Sequence, residues 1–180
     1  MRQRRTALVT SVVLGVLLVG LVLVLATRDP ASTRVAKSRL LGRPAPAIVG
    51  DSVVSGDRFD IADQRGRFVL VNFFATWCTP CVEEHDDLVR FANTHAVADD
   101  ARVVSVVFSD DPRDVERFFE QRGGDWPVLA DQDGSIATSY GVTGVPESYL
   151  VAPDGRVVLK LLGGVRHDRL EELFTEASRR

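Results

Sequence analysis

Cysteine is almost missing from this chain: there are two in 180 residues. A fold stapled by several disulfides is therefore excluded, and the protein must rest on its own hydrophobic core. No cysteine precedes Cys78, so no earlier thiol is present to acylate, which argues against a lipoprotein. Histidine is scarce too, with three residues, and no second cysteine pair exists. A structural zinc site needs about four ligands, and Cys78, Cys81 and His85 supply only three. His95 and His167 stand in unremarkable polar surroundings. A haem attachment would read Cys-x-x-Cys-His, but Val82 occupies the histidine position. No metal, haem or nucleotide motif is present, so no cofactor is expected.

Basic clusters are also lacking beyond the N-terminus. Residues 1–28 carry Arg2, Arg4, Arg5 and Arg28 and no acid. Removing those four from the 22 Lys+Arg leaves 18 against 25 Asp+Glu, a net charge of −7 for residues 29–180. An acidic body without a basic patch argues against nucleic acid as a partner.

What is present begins with a long apolar run. Residues 7–26 are interrupted only by Thr10 and Ser11. As a helix they would span roughly 30 Å, the thickness of a bilayer's hydrocarbon core. The arginines before the run are expected to stay in the cytoplasm, which places everything after Arg28 outside. A cleaved signal peptide would have a shorter apolar region and a small-x-small site, whereas this run is longer and ends in Val24-Leu25-Ala26. The expectation is a retained single-pass anchor in the cell membrane over residues 1–28, a polar linker over 29–40, and one domain over 41–180.

Within that domain strands and helices alternate. Arg67–Phe74 is a continuous apolar and β-branched run suited to a central strand buried on both faces. A helix follows from Pro80 to about His95, and Arg102–Phe108 forms a second buried strand. Asp111 and Pro112 are the N-cap and first turn of another helix, which ends at Gly123-Gly124. Gly134–Tyr140 reads as a short helix. Ser148–Ala152 and Arg156–Leu162 flank Pro153-Asp154-Gly155 as a hairpin, and a last amphipathic helix runs from about His167 to Ser178. The order predicts an α/β fold with a mixed sheet and helices on both faces.

The cysteine pair sits where a buried strand ends and a helix begins. Unpaired backbone N–H groups and the helix dipole stabilise a thiolate there and lower its pKa. Cys78, at the helix end, is expected to be the exposed nucleophile, and Cys81, one turn inside, the resolving thiol. A purely structural disulfide across two residues would constrain the unfolded chain very little. Thiol–disulfide exchange is the better use of the pair. Glu84 lies three residues after Cys81 and shares its helix face. A partly desolvated carboxyl there would have a raised pKa and could pass protons to the sulfurs. Asp86 and Asp87 read as helix-surface charges.

VNFFATWCTPC, followed by GVPESYL, resembles the thioredoxin superfamily. Within it, the chain is similar to the membrane-anchored thiol–disulfide oxidoreductases of cytochrome c maturation, the DsbE/TlpA-like group. The resemblance spans nearly all of residues 41–180, through the Gly42-Arg-Pro-Ala-Pro lead-in, Gly66, Cys78-x-x-Cys81-x-x-Glu84-His85, and Gly141-Val-x-Gly-x-Pro-Glu147. It implies a thioredoxin-like fold and a redox-active disulfide between Cys78 and Cys81. It further implies that Trp77 is an aromatic platform beside the thiols. Pro146 would be a cis-proline facing the cysteines, and Val145 would present its backbone to a substrate strand. Glu84 matches an acid near the buried cysteine, and Glu147 matches an acid that sets this group apart. The ordinary alternative for either glutamate is a solvated surface residue.

The function so implied is an extracytoplasmic reductant that keeps apocytochrome c cysteines reduced for haem attachment, fed by a membrane thiol-electron transporter. A general disulfide oxidant or isomerase would differ in redox potential, and a thiol peroxidase would consume peroxide. A non-catalytic apocytochrome or haem-binding chaperone would keep its function in a Cys78→Ser variant.

Overall fold

The computed structural model describes residues 13–20 and 33–179. The chain divides into two units, residues 1–31 and 32–180. In the first, residues 13–20 are helical (α1) with exposed side chains; the remainder of the expected anchor lies outside the described residues. Among the described residues no helix is long and apolar enough to cross a membrane.

The second unit is built on a six-stranded sheet in the order β1-β8-β7-β4-β5-β6. Its strands are β1 (Arg34–Val35), β4 (Phe68–Phe74), β5 (Ala101–Val107), β6 (Val128–Ala130), β7 (Glu147–Val151) and β8 (Val157–Leu162). A separate hairpin pairs β2 (Val49–Asp51) with β3 (Arg58–Asp60). β4, β5 and β6 are parallel to one another, while β7 and β8 run antiparallel to their neighbours. The central position of β4 follows from its side chains, since an apolar run buried on both faces can only sit between other strands.

The alternation along β4 divides the core in two. Leu70 and Phe74 point into one layer with Leu88 and Phe91 of α2 (Thr79–Ala98), Val115 and Phe119 of α3 (Pro112–Arg122), and Leu170 and Phe174 of α5 (His167–Ser178). Val69, Val71 and Phe73 point into the other, with Tyr149, Ile48, Phe59 and Tyr140 of α4 (Ser135–Tyr140). Helices therefore cover both faces, although α4 is short and shares its face with the β2–β3 hairpin. Asn72 is the one polar residue within β4, and it belongs to the α2 face.

Two departures from the sequence expectation have physical causes. Residues 34 and 35 fall in the expected linker, yet Arg34 and Val35 pair with Leu162 and Leu161 and form an edge strand. The short strands β1, β2, β3 and β6 carry too few residues to show a period, so pairing with distant partners creates them. The helix start at Asp111 is as expected, with its carboxylate accepting from the Arg113 N–H at 2.9 Å.

Candidate active site

The site begins where β4 stops. Residues 75–77 lead from Phe74 into Cys78, which is the N-cap of α2 with extended backbone angles. Cys78 and Cys81 form a disulfide, with their Cα atoms 5.2 Å apart. The Cys81 backbone N–H donates to Cys78 Sγ at 3.2 Å. One of the orphan donors at the helix N-terminus is therefore aimed at that sulfur, where it would hold a thiolate. Exposure does not separate the two cysteines as expected: Cys78 is 5% exposed and Cys81 3%. The hydrogen bond, not solvent access, distinguishes Cys78 in the oxidised protein.

The approach to Cys78 is held by the loop after β5. Asp110 Oδ2 accepts from both the N–H and the Oγ1–H of Thr76, at 2.5 and 2.8 Å. The Trp77 indole N–H donates to the Ser109 carbonyl at 3.0 Å while the ring remains 60% exposed. Ser109 adopts a left-handed φ of 51° to make this turn. Trp77 is thus an exposed aromatic surface beside the cysteine pair.

Glu84 is buried, not solvated: it is 3% exposed. Its Oε1 accepts from Asn72 Nδ2 at 2.9 Å, and its Oε2 from the Val165 N–H at 2.8 Å. Asn72 also donates to Ser148 Oγ at 3.1 Å, so α2, β4 and β7 meet at one polar cluster. Burial pushes the Glu84 carboxyl up to about 8. The two N–H donors pull in the opposite direction without offsetting it, and the nearby Asp87 charge adds to the rise. Gly164 permits the close approach of the Val165 loop, because a Cβ there would lie 3.3 Å from the Pro80 carbonyl. Asn72, Ser148 and Val165 escaped the sequence reading. A polar residue inside the buried run FVLVNFF was the available signal, since a buried amide requires a partner.

The Val145–Pro146 peptide bond is cis. Pro146 immediately precedes Glu147, which is registered opposite Phe73, so the proline lies at the end of the sheet from which residues 75–78 emerge. Val145 packs against the cluster that contains both cysteines. Glu147 lies elsewhere. It shares the Phe73 face of the sheet, opposite to the Asn72–Ser148–Glu84 face. There it accepts from the Thr143 N–H and Oγ1–H and sits 2.8 Å from Lys160 Nζ. Burial alone would lower the Lys160 pKa, but Glu147 and Tyr149 raise it overall.

Two further residues, Asp87 and His95, depart from expectation, and His85 takes a defined place in the core. Asp87 is not a surface charge: it is buried, pairs with Arg90 and accepts from the His167 N–H at 3.0 Å, capping α5. His85 is buried among Phe118, Phe119 and Trp126, with Nε2 2.9 Å from the Gly123 carbonyl; burial lowers its pKa. His95 is buried between Asp100 at 2.6 Å and Glu171 at 3.3 Å, a setting far from unremarkable. Among the described residues no group of acidic, Cys and His side chains could hold a metal.

A disulfide at a helix N-terminus, a cis-proline at the same end of the sheet and a buried acid one turn behind form a coherent thiol-exchange centre. The redoxin family model matches residues 40–173. The chain belongs to the redoxin family. It is a thiol–disulfide oxidoreductase with a thioredoxin-like α/β fold. It is 32% identical over 131 residues to the thiol:disulfide interchange protein HelX of Rhodobacter capsulatus, covering 72% of each chain. It is also 32% identical over 130 residues to the thiol:disulfide interchange protein DsbE of Pseudomonas aeruginosa, covering 71% of this chain and 69% of that one. Among solved structures, a putative DsbE from Chlorobium tepidum matches with a TM-score of 0.68 and 26% identity, over 74% of this chain and 94% of that chain.

Proposed function

We propose that this protein is an extracytoplasmic reductant that keeps the haem-binding cysteines of apocytochrome c reduced. The observation that carries the reading is the buried Glu84 beside a disulfide with no cation near it in sequence. Between Arg67 and Arg90 there is no Lys or Arg, and four acids follow Cys81. A strong oxidant needs a heavily stabilised thiolate, which drives the disulfide form to give up its oxidising equivalents. Here the helix N-terminus stabilises Cys78, but no Lys or Arg between residues 67 and 90 adds to it and the acidic Glu83 and Asp86 oppose it, so the couple lies toward the reducing side.

In the cycle, the Cys78 thiolate attacks a substrate disulfide and releases one substrate thiolate. Cys81 loses its proton to the Glu84 carboxylate and attacks Cys78 Sγ, which frees the second substrate sulfur as a thiolate, to be protonated by water, and closes the protein disulfide. When the disulfide is reduced again, neutral Glu84 returns the proton to the departing Cys81. The electrons come from a membrane thiol-electron transporter. The domain is held outside the cell membrane by residues 1–28, and a mature N-terminus mapped beyond Ala26 by mass spectrometry would overturn that anchor.

Equilibration with glutathione or dithiothreitol tests the direction of electron flow. A potential nearer about −270 mV than about −120 mV is expected, and a value above roughly −150 mV sinks the reductant reading in favour of a general oxidant. Deleting the protein is expected to impair covalent haem attachment, with restoration by an added small-molecule thiol.

A further inference from the structure

The loop that carries Val145 and Pro146 reaches the thiol end of the sheet, yet it is held from the opposite face. Glu147 Oε1 takes both the N–H and the hydroxyl of Thr143 at 3.0 Å. Lys160 Nζ lies 2.8 Å from Glu147 Oε2 and donates to the Gly141 carbonyl at 3.3 Å. The Tyr149 hydroxyl donates to the neighbouring Tyr140 carbonyl at 2.7 Å, and the ammonium rests 5.1 Å from the Tyr149 ring centroid. Glu147 is 3% exposed and Lys160 8%. At its far end the loop is fixed by the Gly163 N–H, which donates to the Pro146 carbonyl at 3.0 Å.

We propose that the buried Glu147–Lys160 pair is a positioning device for polypeptide substrates, with Lys160 bracing the Gly141–Pro146 loop in the shape that receives an extended strand beside Cys78. A buried ion pair is costly to desolvate, and apolar residues of the same size would often serve stability as well or better. What apolar residues would not supply is a charged donor that grips Gly141 and a carboxylate that grips Thr143 at once. The two grips fix the loop at its first and third residues, ahead of Val145. A small disulfide that touches only Cys78 makes no use of this loop, whereas a peptide disulfide lying along Val145 does. The inference rests on the proposed function only for its choice of peptide.

The test compares the reduced wild-type protein with Lys160→Met and with the double variant Glu147→Gln/Lys160→Met. Each is given two disulfides: an oxidised synthetic peptide containing Cys-x-x-Cys-His, and dipyridyl disulfide. In both reactions two electrons pass from the Cys78 and Cys81 thiols to the added disulfide, which leaves as two thiols (or thiones), while the protein disulfide forms. The expected result for Lys160→Met is a fall of about fivefold or more in the ratio of peptide to small-disulfide rates, carried mainly by KM. The double variant buries no unpaired charge, so its thermal midpoint is expected to recover toward wild type while the ratio stays low. Equal changes with both disulfides, or a ratio that recovers together with stability, overturn the proposal. If Lys160→Met does not fold, the double variant decides by the same ratio. A wild type that reduces insulin but not the peptide refutes the apocytochrome reading instead, and the brace is then judged on insulin by the same comparison.

Discussion

The Val165 backbone N–H donates to Glu84 Oε2 at 2.8 Å, joining two residues 81 positions apart in the chain. Through this bond the loop after β8 reaches under the first turn of α2 and helps to decide how readily Glu84 ionises. The acid is held by the tertiary fold, so its chemistry is sensitive to changes far from the cysteines.

Replacing Glu84 by Gln removes the proton carrier and keeps the shape. Glu84→Gln is expected to fold, to keep its disulfide, and to change the pH dependence of Cys81 and Cys78 alkylation near pH 8, where the carboxyl titrates. The check is alkylation rate against pH for both proteins. Superimposable profiles would show that the carboxyl takes no part.

The same group couples stability to pH. A solvated glutamate titrates near 4.5, whereas burial raises Glu84 to about 8 in the folded protein. The unfolded chain therefore releases this proton first as pH rises. Stability from this group is complete below about 4.5 and is lost between about 4.5 and about 8, at roughly 1.4 kcal/mol per pH unit. Denaturant titrations of wild type and Glu84→Gln across that window are expected to diverge, with wild type losing stability relative to the variant as pH rises. A constant difference would refute the coupling.

Gly164 sets how close the Val165 loop comes to α2. Gly164→Ala puts a methyl group 3.3 Å from the Pro80 carbonyl, so the loop must shift by a few tenths of an ångström. A cost of about 1 kcal/mol is expected. Loosening the Val165 bond removes one influence that lowers the Glu84 pKa, so the pH profile of thiol reactivity should move to higher pH. An unmoved profile in a destabilised protein would limit Gly164 to packing.

The two thiols should differ in rate despite their similar burial. In the reduced protein Cys78 is expected to alkylate faster than Cys81, with an apparent pKa lowered by about one unit or more, because the Cys81 N–H points at its sulfur. Mass mapping of partially alkylated protein gives the order directly. Faster labelling of Cys81 would exchange the roles of nucleophile and resolver.

Much of this architecture was legible in local patterns. β4 was readable because seven consecutive residues are too apolar for any place but the sheet centre. α3 was readable from Asp111 and Pro112, which cap and start a helix whatever surrounds them. β6, with three residues, was not, since a strand that short exists only through its pairing with β5. Glu147 shows a signal that was present and unused. Side chains along a strand alternate, so Glu147 and Ser148 cannot both face the cysteines, and Ser148 is the one that meets Asn72.

The sequence by itself determined the chemistry: two thiols one turn apart at a strand-to-helix junction, where backbone N–H groups favour a thiolate whatever the rest of the chain does. It also determined that Glu84 shares a helix face with Cys81, because that spacing is a property of the helix alone. Tertiary structure alone decided the protonation of that acid, since burial under Val165 and beside Asn72 raises its pKa and neither contact is local. It likewise turned Asp87 into the cap of α5 and Glu147 into the partner of Lys160. The physical reason is the same in each case. A carboxylate's behaviour depends on how much water it loses and which donors replace that water, and both are supplied by segments distant in the chain.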